Sequence, residues 1–231
     1  MKTLQISILF LILTLTSINL SAQIPPPFPV KTKTLNLTVF LQGFYPGSGS
    51  LMNKCKDYVG SATVDKFSGT TVDTITVELH DATTYSTIVY KAYNVPLNQN
   101  GTASIIINNP NSYYGNYYIT IKTRNHIETT TAAPVSFAAS LVSYDFSNAI
   151  SKAYGNNLKQ IGNIYCIFAG DINQDGNVNA GGDRAKVHNK TVALTKGYVV
   201  EDINGDGSVN AGGDRAVVHI NTVSLISKKT P

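Results

Sequence analysis

No stretch beyond the N-terminus is apolar over the roughly 20 residues that a membrane span needs. No dense run of Lys or Arg occurs apart from Lys228-Lys229, and tryptophan is absent. The first two absences exclude a spanning helix and, at a formal charge of only +4, a nucleic acid or an anionic membrane as partner. The third leaves any sugar-stacking surface to the paired tyrosines Tyr113-Tyr114 and Tyr117-Tyr118, of which a strand turns only every second one outward. No nucleophile elbow, two-histidine metal motif or phosphate loop is present. His80-Asp81 and Arg124-Asn125-His126-Ile127-Glu128, where titratable groups gather, therefore read as solvated or satisfied strand ends, and the chain reads as a non-enzyme. Cysteine occurs twice. Cys55 and Cys166 either close one bridge across more than a hundred residues, which on the chain-entropy model stabilises by about 4 to 5 kcal/mol, or stay separate thiols. In the second case Cys166 is a small hydrophobe within the run Ile164-Tyr165-Cys166-Ile167-Phe168.

What is present begins with an export signal. Lys2, an apolar run over residues 6–15 and the small-residue stretch Leu20-Ser21-Ala22 predict a signal peptide over residues 1–22. Thr14, Thr16, Ser17 and Asn19 interrupt the run, which argues against an anchor, and no cysteine stands at the cleavage site to make a lipoprotein. The chain is expected to be secreted or at a cell surface.

A stiff proline-rich leader over residues 23–34 precedes a change to period two. Leu35, Leu37, Val39 and Leu41 alternate with polar residues or Phe40; Ile75, Val77 and Leu79 and then Tyr117, Ile119 and Ile121 repeat the pattern. Further β-rich runs over residues 87–93, 103–107, 135–137, 141–146 and 164–168 bring the count to seven or eight, with Asn-Gly, Asn-Pro and Ala-Pro turns between them. This predicts a mainly β fold, an antiparallel β-sandwich of Ig-like or prealbumin-like type over residues 35–169. The connection over residues 43–72 is too long to be structureless, and residues 145–157 leave room for a short helical turn.

Acid is scarce and concentrated. Of 14 acidic residues seven follow Gly170, and six of those are aspartates in a repeat, DINQDGNVNAGGDR at residues 171–184 and DINGDGSVNAGGDR at 202–215. The copies align over 21 residues with 16 identities and a period of 31. Read as EF-hand-type loops over residues 171–183 and 202–214, the first offers Asp171, Asn173, Asp175, the carbonyl of Asn177, and Asn179 at positions 1, 3, 5, 7 and 9, with Gly176 at the sharp turn. The second offers Asp202, Asn204, Asp206, Ser208 and Asn210, with Gly207 at the turn. All are hard oxygen donors, which favours two Ca2+ ions over zinc, copper or magnesium. Position 12, where an acid should close the shell, holds Gly182 and Gly213, and Asp183 and Asp214 come one residue late. Two expectations follow: the glycine pairs reach unusual dihedrals that swing these aspartates inward as ligands, or the aspartates cap the helices that follow. Val178 and Val209 are expected to form a small β-bridge between the loops, and residues 215–223, with Ala216, Ile220 and Val223 on one face, are expected to be helical despite their β-branched content.

Paired loops of this kind some 30 residues apart resemble the dockerin type I repeats of secreted bacterial proteins, over about residues 170–223. The resemblance implies a small helical calcium-binding module over residues 170–231 and a cohesin-like or cell-surface protein partner, recognised in part through loop positions 10 and 11. Here those are Ala180-Gly181 and Ala211-Gly212, which offer little side-chain contact. The run over residues 117–126 with Tyr144-Asp145-Phe146 also resembles β-domains found just ahead of dockerin-like pairs. The expected role is non-catalytic docking or assembly, as in extracellular polysaccharide degradation, with docking on the chain's own sandwich as a variant. The alternatives are a glycan-binding or polysaccharide-degrading accessory protein and a calcium-rigidified terminal domain of a surface protein.

Overall fold

A computed structural model describes residues 32–108 and 114–231. The signal peptide, almost all of the proline-rich leader and Tyr113 lie outside the described residues. The fold is mainly β with two short helices. The alternation of Leu35 and Leu37 builds β1 (Lys33–Thr38), which pairs antiparallel with β6 (Thr102–Ile107), Leu35 opposite Ile105. Its other neighbour, β10 (Leu141–Asp145), runs parallel to it, Leu35 beside Val142. This sheet is therefore mixed where an antiparallel one is expected. A strand returning after a long connection is free to arrive from either end, whereas a hairpin partner is not.

The second sheet has five strands. β4 (Thr71–Asp81) lies between β5 (Ile88–Asn98) and β7 (Asn116–Lys122), and β7 also pairs with the short strands β8 (Thr129–Thr130) and β9 (Val135–Ser136). The inward residues of both sheets share one core: Leu35, Leu37, Ile105, Ile107 and Val142 from the first, Ile75, Val77, Leu79, Ile119 and Ile121 from the second. Tyr117 belongs to that core, packed edge-on against Phe137, and Tyr118 meets Tyr85 and Tyr154 edge-on, so these two do not form a flat stacking platform. The long connection is ordered by a hairpin of β2 (Lys56–Val59) and β3 (Ala62–Asp65). Two 3-10 turns, Ile150–Lys152 and Tyr154–Asn156, precede the hairpin of β11 (Lys159–Ile161) and β12 (Ile164–Cys166). Cys55 and Cys166 are separate buried thiols, and burial pushes each up to about 12.

A second apolar cluster serves the repeat. Ile172, Val178, Ile203 and Val209 come from the loops, Val187 from α1 (Ala185–Val192), Val218 from α2 (Ala216–Val223), with Ile127 and Ala169 from the sandwich side. Eight small side chains make a weak core for such a segment. Contacts with the sandwich supplement it, and Lys31–Pro231 forms one compact unit.

Candidate metal centre

Each loop wraps its backbone around its own aspartates. Asp171 is buried and accepts the N–H groups of Asp175 (3.1 Å) and Gly176 (3.0 Å). Asp175 accepts the N–H of Asn177 at 2.9 Å and the side-chain amides of Asn173 (2.7 Å) and Asn179 (3.5 Å). Gly176 and Gly207 hold φ of +86° and +84°, the left-handed turn that position 6 requires. The second loop repeats the pattern: Gly207 donates to Asp202 at 2.9 Å, and Ser208 and Asn204 donate to Asp206 at 2.9 and 2.8 Å.

The late aspartates turn inward. Asp183 is fully buried; its Oδ1 accepts the N–H groups of Ile172 (2.7 Å) and Asn173 (3.3 Å), and its Oδ2 that of Asn179 (2.8 Å). Asp214 does the same with Ile203 (2.7 Å), Asn204 (3.2 Å) and Asn210 (2.7 Å). The extra residue is absorbed by a helix that opens with a π turn. Arg184 N–H reaches Asn179 O at 3.1 Å and Arg215 N–H reaches Asn210 O at 3.2 Å, both five residues back. A one-residue insertion taken up this way moves the next side chain round by about one position, which returns the aspartate to the loop interior.

Two expectations are corrected here. None of Gly181, Gly182, Gly212 and Gly213 has a positive φ, so dihedral freedom does not turn the aspartates. The second glycine of each pair matters for its missing side chain: a Cβ on Gly182 would stand 2.6 Å from Asn173 Nδ2, and one on Gly213 2.3 Å from Asn204 Nδ2. The N-caps are Asn179 and Asn210, whose side chains accept from Gly182 and Gly213 at 2.6 Å; Asp183 and Asp214 instead reach back to the cap residue's own N–H.

The bridge between Val178 and Val209 is also replaced. Val178 N–H donates to Ile226 O (2.8 Å) and Val209 N–H to Thr195 O (2.9 Å), with bridges Asn177 to Ser227 and Lys196 to Ser208. Thr195 and Ile226 are one repeat apart, so each loop pairs with the segment that follows the other copy's helix. Arg184 with His219 and Arg215 with His188, at 2.9 Å each, repeat the exchange on the surface.

One buried oxygen stands out. Asp202 is fully buried and its Oδ1 has no hydrogen-bond partner. Burial first, offset by the Gly207 N–H and by Arg124, and aggravated by Asp214 and Asp206, pushes its carboxyl up to about 7. Burial pushes Asp171 up to about 6 against the Gly176 N–H, with Asp183 and Asp175 adding repulsion. Buried, mutually repelling carboxylates of this kind fit a cation, which reverses the cost of their ionisation. Among the described residues no three His, Cys, Asp or Glu side chains are gathered to hold a metal. Further oxygens for each loop would come from the amides and carbonyls of Asn173, Asn177 and Asn179, and of Asn204, Ser208 and Asn210.

Sequence reasoning missed the residues that seat the repeat on the sandwich. Arg124, largely covered, pairs with Asp73 at 2.9 Å, donates to the carbonyls of Val199 and Asp202 and lies over the Tyr198 ring. Asn125 donates to Val200 O and Asp202 O, both at 3.0 Å. Asn221 of α2 donates to Gln42 Oε1 and Ala169 O at 2.7 Å, and His126 shares 2.9 Å contacts with Gln42 O and Thr123 Oγ1. The cluster Arg124-Asn125-His126 is visible in the sequence, but the carbonyls of the repeat that Arg124 and Asn125 hold lie 75 to 78 residues away, beyond any local pattern.

No family model matches the chain, and no curated protein matches it. Among solved structures, two type II cohesin–X-dockerin complexes from Acetivibrio cellulolyticus, a C-terminal and an N-terminal interface mutant, are similar. Identity is 16% and 17%, TM-score 0.45 and 0.46, and each alignment covers 82% of this chain and 94% of the other. So loose a superposition leaves the chain's own loops as the ground for a function.

Proposed function

We propose that residues 170–231 are a dockerin-type module holding two calcium ions, and that the exported chain uses it, without catalysis, to dock on a protein at a cell surface or in an extracellular assembly. The observation that carries the reading is the unpartnered Oδ1 of Asp202, fully buried beside the inward-turned Asp214. When bound, calcium supplies charge neutralisation that hydrogen bonds alone leave incomplete. Asp171, Asn173, Asp175, Asn177, Asn179 and Asp183 would hold one ion; Asp202, Asn204, Asp206, Ser208, Asn210 and Asp214 would hold the other. Docking is supported by apolar side chains left in solvent at matching places of the two copies. Val192 and Val223 are 69 and 67 % exposed, Leu194 and Leu225 79 and 84 %. The non-catalytic reading is supported by the two histidines of the sandwich: both ring nitrogens of His80 are engaged, by Tyr85 O and Glu78, and both of His126 by Gln42 O and Thr123.

Titration calorimetry with calcium tests this. Two ions per chain are expected, with Asp183→Ala and Asp214→Ala each removing one, and a chain that takes up no calcium overturns the reading. Calcium-dependent capture of a surface protein, lost in Val192→Asp with Val223→Asp, separates docking from a second reading, a rigidified terminal domain. The clasp of Arg124 and Asn125 on residues 199–202 favours that second reading. Among the described residues no helix is long and apolar enough to cross a membrane.

A further inference from the structure

The two loops differ at position 4, where the first has Gln174 and the second Gly205. Gln174 Nε2 reaches back to the carbonyl of Asp171 at 2.5 Å, fixing the start of its loop from within. Gly205 has no side chain to do this, and none would fit. Its φ is +72°, and a Cβ would stand 2.5 Å from the Phe44 ring of the sandwich. The corresponding carbonyl, that of Asp202, is held from outside, by Arg124 Nη2 at 2.9 Å and Asn125 Nδ2 at 3.0 Å. The backbone of Gly205 is itself gripped, its carbonyl accepting the Lys56 N–H at 2.8 Å. The Arg124 charge does not stand bare beside the loop, because Asp73 neutralises it at 2.9 Å. Each loop also has a backbone buttress from the segment after the other copy's helix, Val178 N–H to Ile226 O and Lys228 N–H to Gly176 O in the first (2.8 and 2.7 Å), Val209 N–H to Thr195 O and Gly197 N–H to Gly207 O in the second (2.9 Å each), so the hold of Arg124 and Asn125 is what the second has in addition.

We infer that Arg124 and Asn125 are positioning residues of the second calcium loop, so that the sandwich does for one ion site what Gln174 does for the other from within its own loop. This rests on the calcium reading above and adds that the sites are unequal and separately adjustable. Arg124 and Asn125 touch no proposed ligand oxygen. They fix the carbonyl from which the Asp202 carboxylate is aimed, and that carboxylate carries the unpartnered oxygen.

Calcium titration of the isotope-labelled full chain, followed at the amides of Gly176 and Gly207, tests it, since each amide donates to the position-1 carboxylate of its own loop. Asn125→Ala and Arg124→Lys are each expected to weaken the Gly207 response about tenfold, the loss of one or two hydrogen bonds, of which only those of Arg124 have a charged donor, and to leave the Gly176 response within about twofold. Truncation after Leu225 is expected to do the reverse. Equal weakening of both responses, or of neither, in the two point variants overturns the inference while leaving two-ion binding intact. If neither amide answers to calcium in the unaltered chain, the calcium reading itself fails and the inference with it. The Gly176 response reports in the same molecule whether a variant has folded.

Discussion

The two copies of the repeat share 16 of 21 residues, and their loops almost every internal hydrogen bond, yet they stand in different surroundings. The first touches the sandwich lightly, through Gly170 N–H to Asn125 O at 2.7 Å and Gln174 to His126 O at 3.5 Å. The second is pressed against it by Arg124, Asn125, Lys56 and Tyr198. A repeat makes such a division easy to see: the copies share the inward aspartates and the glycine turn, and they part at position 4, where the second meets its neighbour. Gln174 against Gly205 is the clearest case, a side-chain hydrogen bond exchanged for room to dock.

Removing calcium should expose the comparison most strongly. At about a thousand times its dissociation constant an ion stabilises by roughly 4 kcal/mol per site, and the eight-residue apolar cluster behind the loops cannot replace that. In calorimetry and hydrogen exchange with chelator, residues 170–231 are expected to open while the sandwich strands stay protected, with amides of the first loop exchanging before those of the second. Identical protection with and without chelator would mean that packing alone holds the tail.

Acid is expected to act next, through His126 behind the clasp. Burial lowers its imidazole to about 4, with the Gln42 carbonyl opposing and Arg124 assisting. Above pH 6.5 the ring is neutral in both folded and unfolded chains and contributes no pH dependence. Between 6.5 and 4 only the unfolded chain takes the proton, so stability falls by about 1.4 kcal/mol per pH unit, roughly 3 kcal/mol in all. Below 4 the folded chain is protonated as well and the loss levels off. Denaturant midpoints across this range, at saturating calcium, should show a slope smaller by about one proton in His126→Gln.

The glycine pairs give a smaller effect and compare positions within each loop. Gly182→Ala and Gly213→Ala put a methyl against Asn173 and Asn204 and should cost about 1 to 3 kcal/mol. Gly181→Ala and Gly212→Ala, whose nearest neighbours stand 3.9 and 3.8 Å away, should be neutral or stabilise by up to about 1 kcal/mol, because alanine has less unfolded-state freedom to lose. Thermal melts at fixed calcium distinguish the pairs; equal losses would show that the first glycine is needed too.

Much of this architecture was legible in the residues. Strict alternation put Leu35, Leu37, Ile75, Val77, Leu79, Ile119 and Ile121 in the core because a strand with one buried face leaves a period of two. The loop oxygens were legible because their spacing is local. The β2–β3 hairpin was not, since β3 is exposed along its whole length and carries no buried face to betray it. The parallel pairing of β1 with β10 and the crossed pairing of Val178 with Ile226 join segments far apart in the chain, and a one-dimensional pattern does not encode which distant backbone supplies the partner. The doubled glycine pointed to a distortion but not to its kind: a π turn and an unusual dihedral both admit one extra residue.

The smallest expected effect bears most directly on why the loops differ. Gln174→Ala removes one side-chain hydrogen bond to the Asp171 carbonyl, worth about 0.5 to 1.5 kcal/mol, and leaves that carbonyl with no replacement of the kind Arg124 and Asn125 provide for Asp202. Its effect should therefore be confined to the first loop and read as a threefold to tenfold weaker calcium response at Gly176, with Gly207 unchanged. Gln174 sits at a φ of +58°, a conformation that glycine adopts more readily, so Gln174→Gly recovers backbone ease while losing the same bond. If Gln174→Gly binds calcium as tightly as the unaltered chain and Gln174→Ala does not, the backbone governs position 4. If both weaken alike, the side chain does, and Gly205 is tolerated in the second loop because the β-domain has taken over its task.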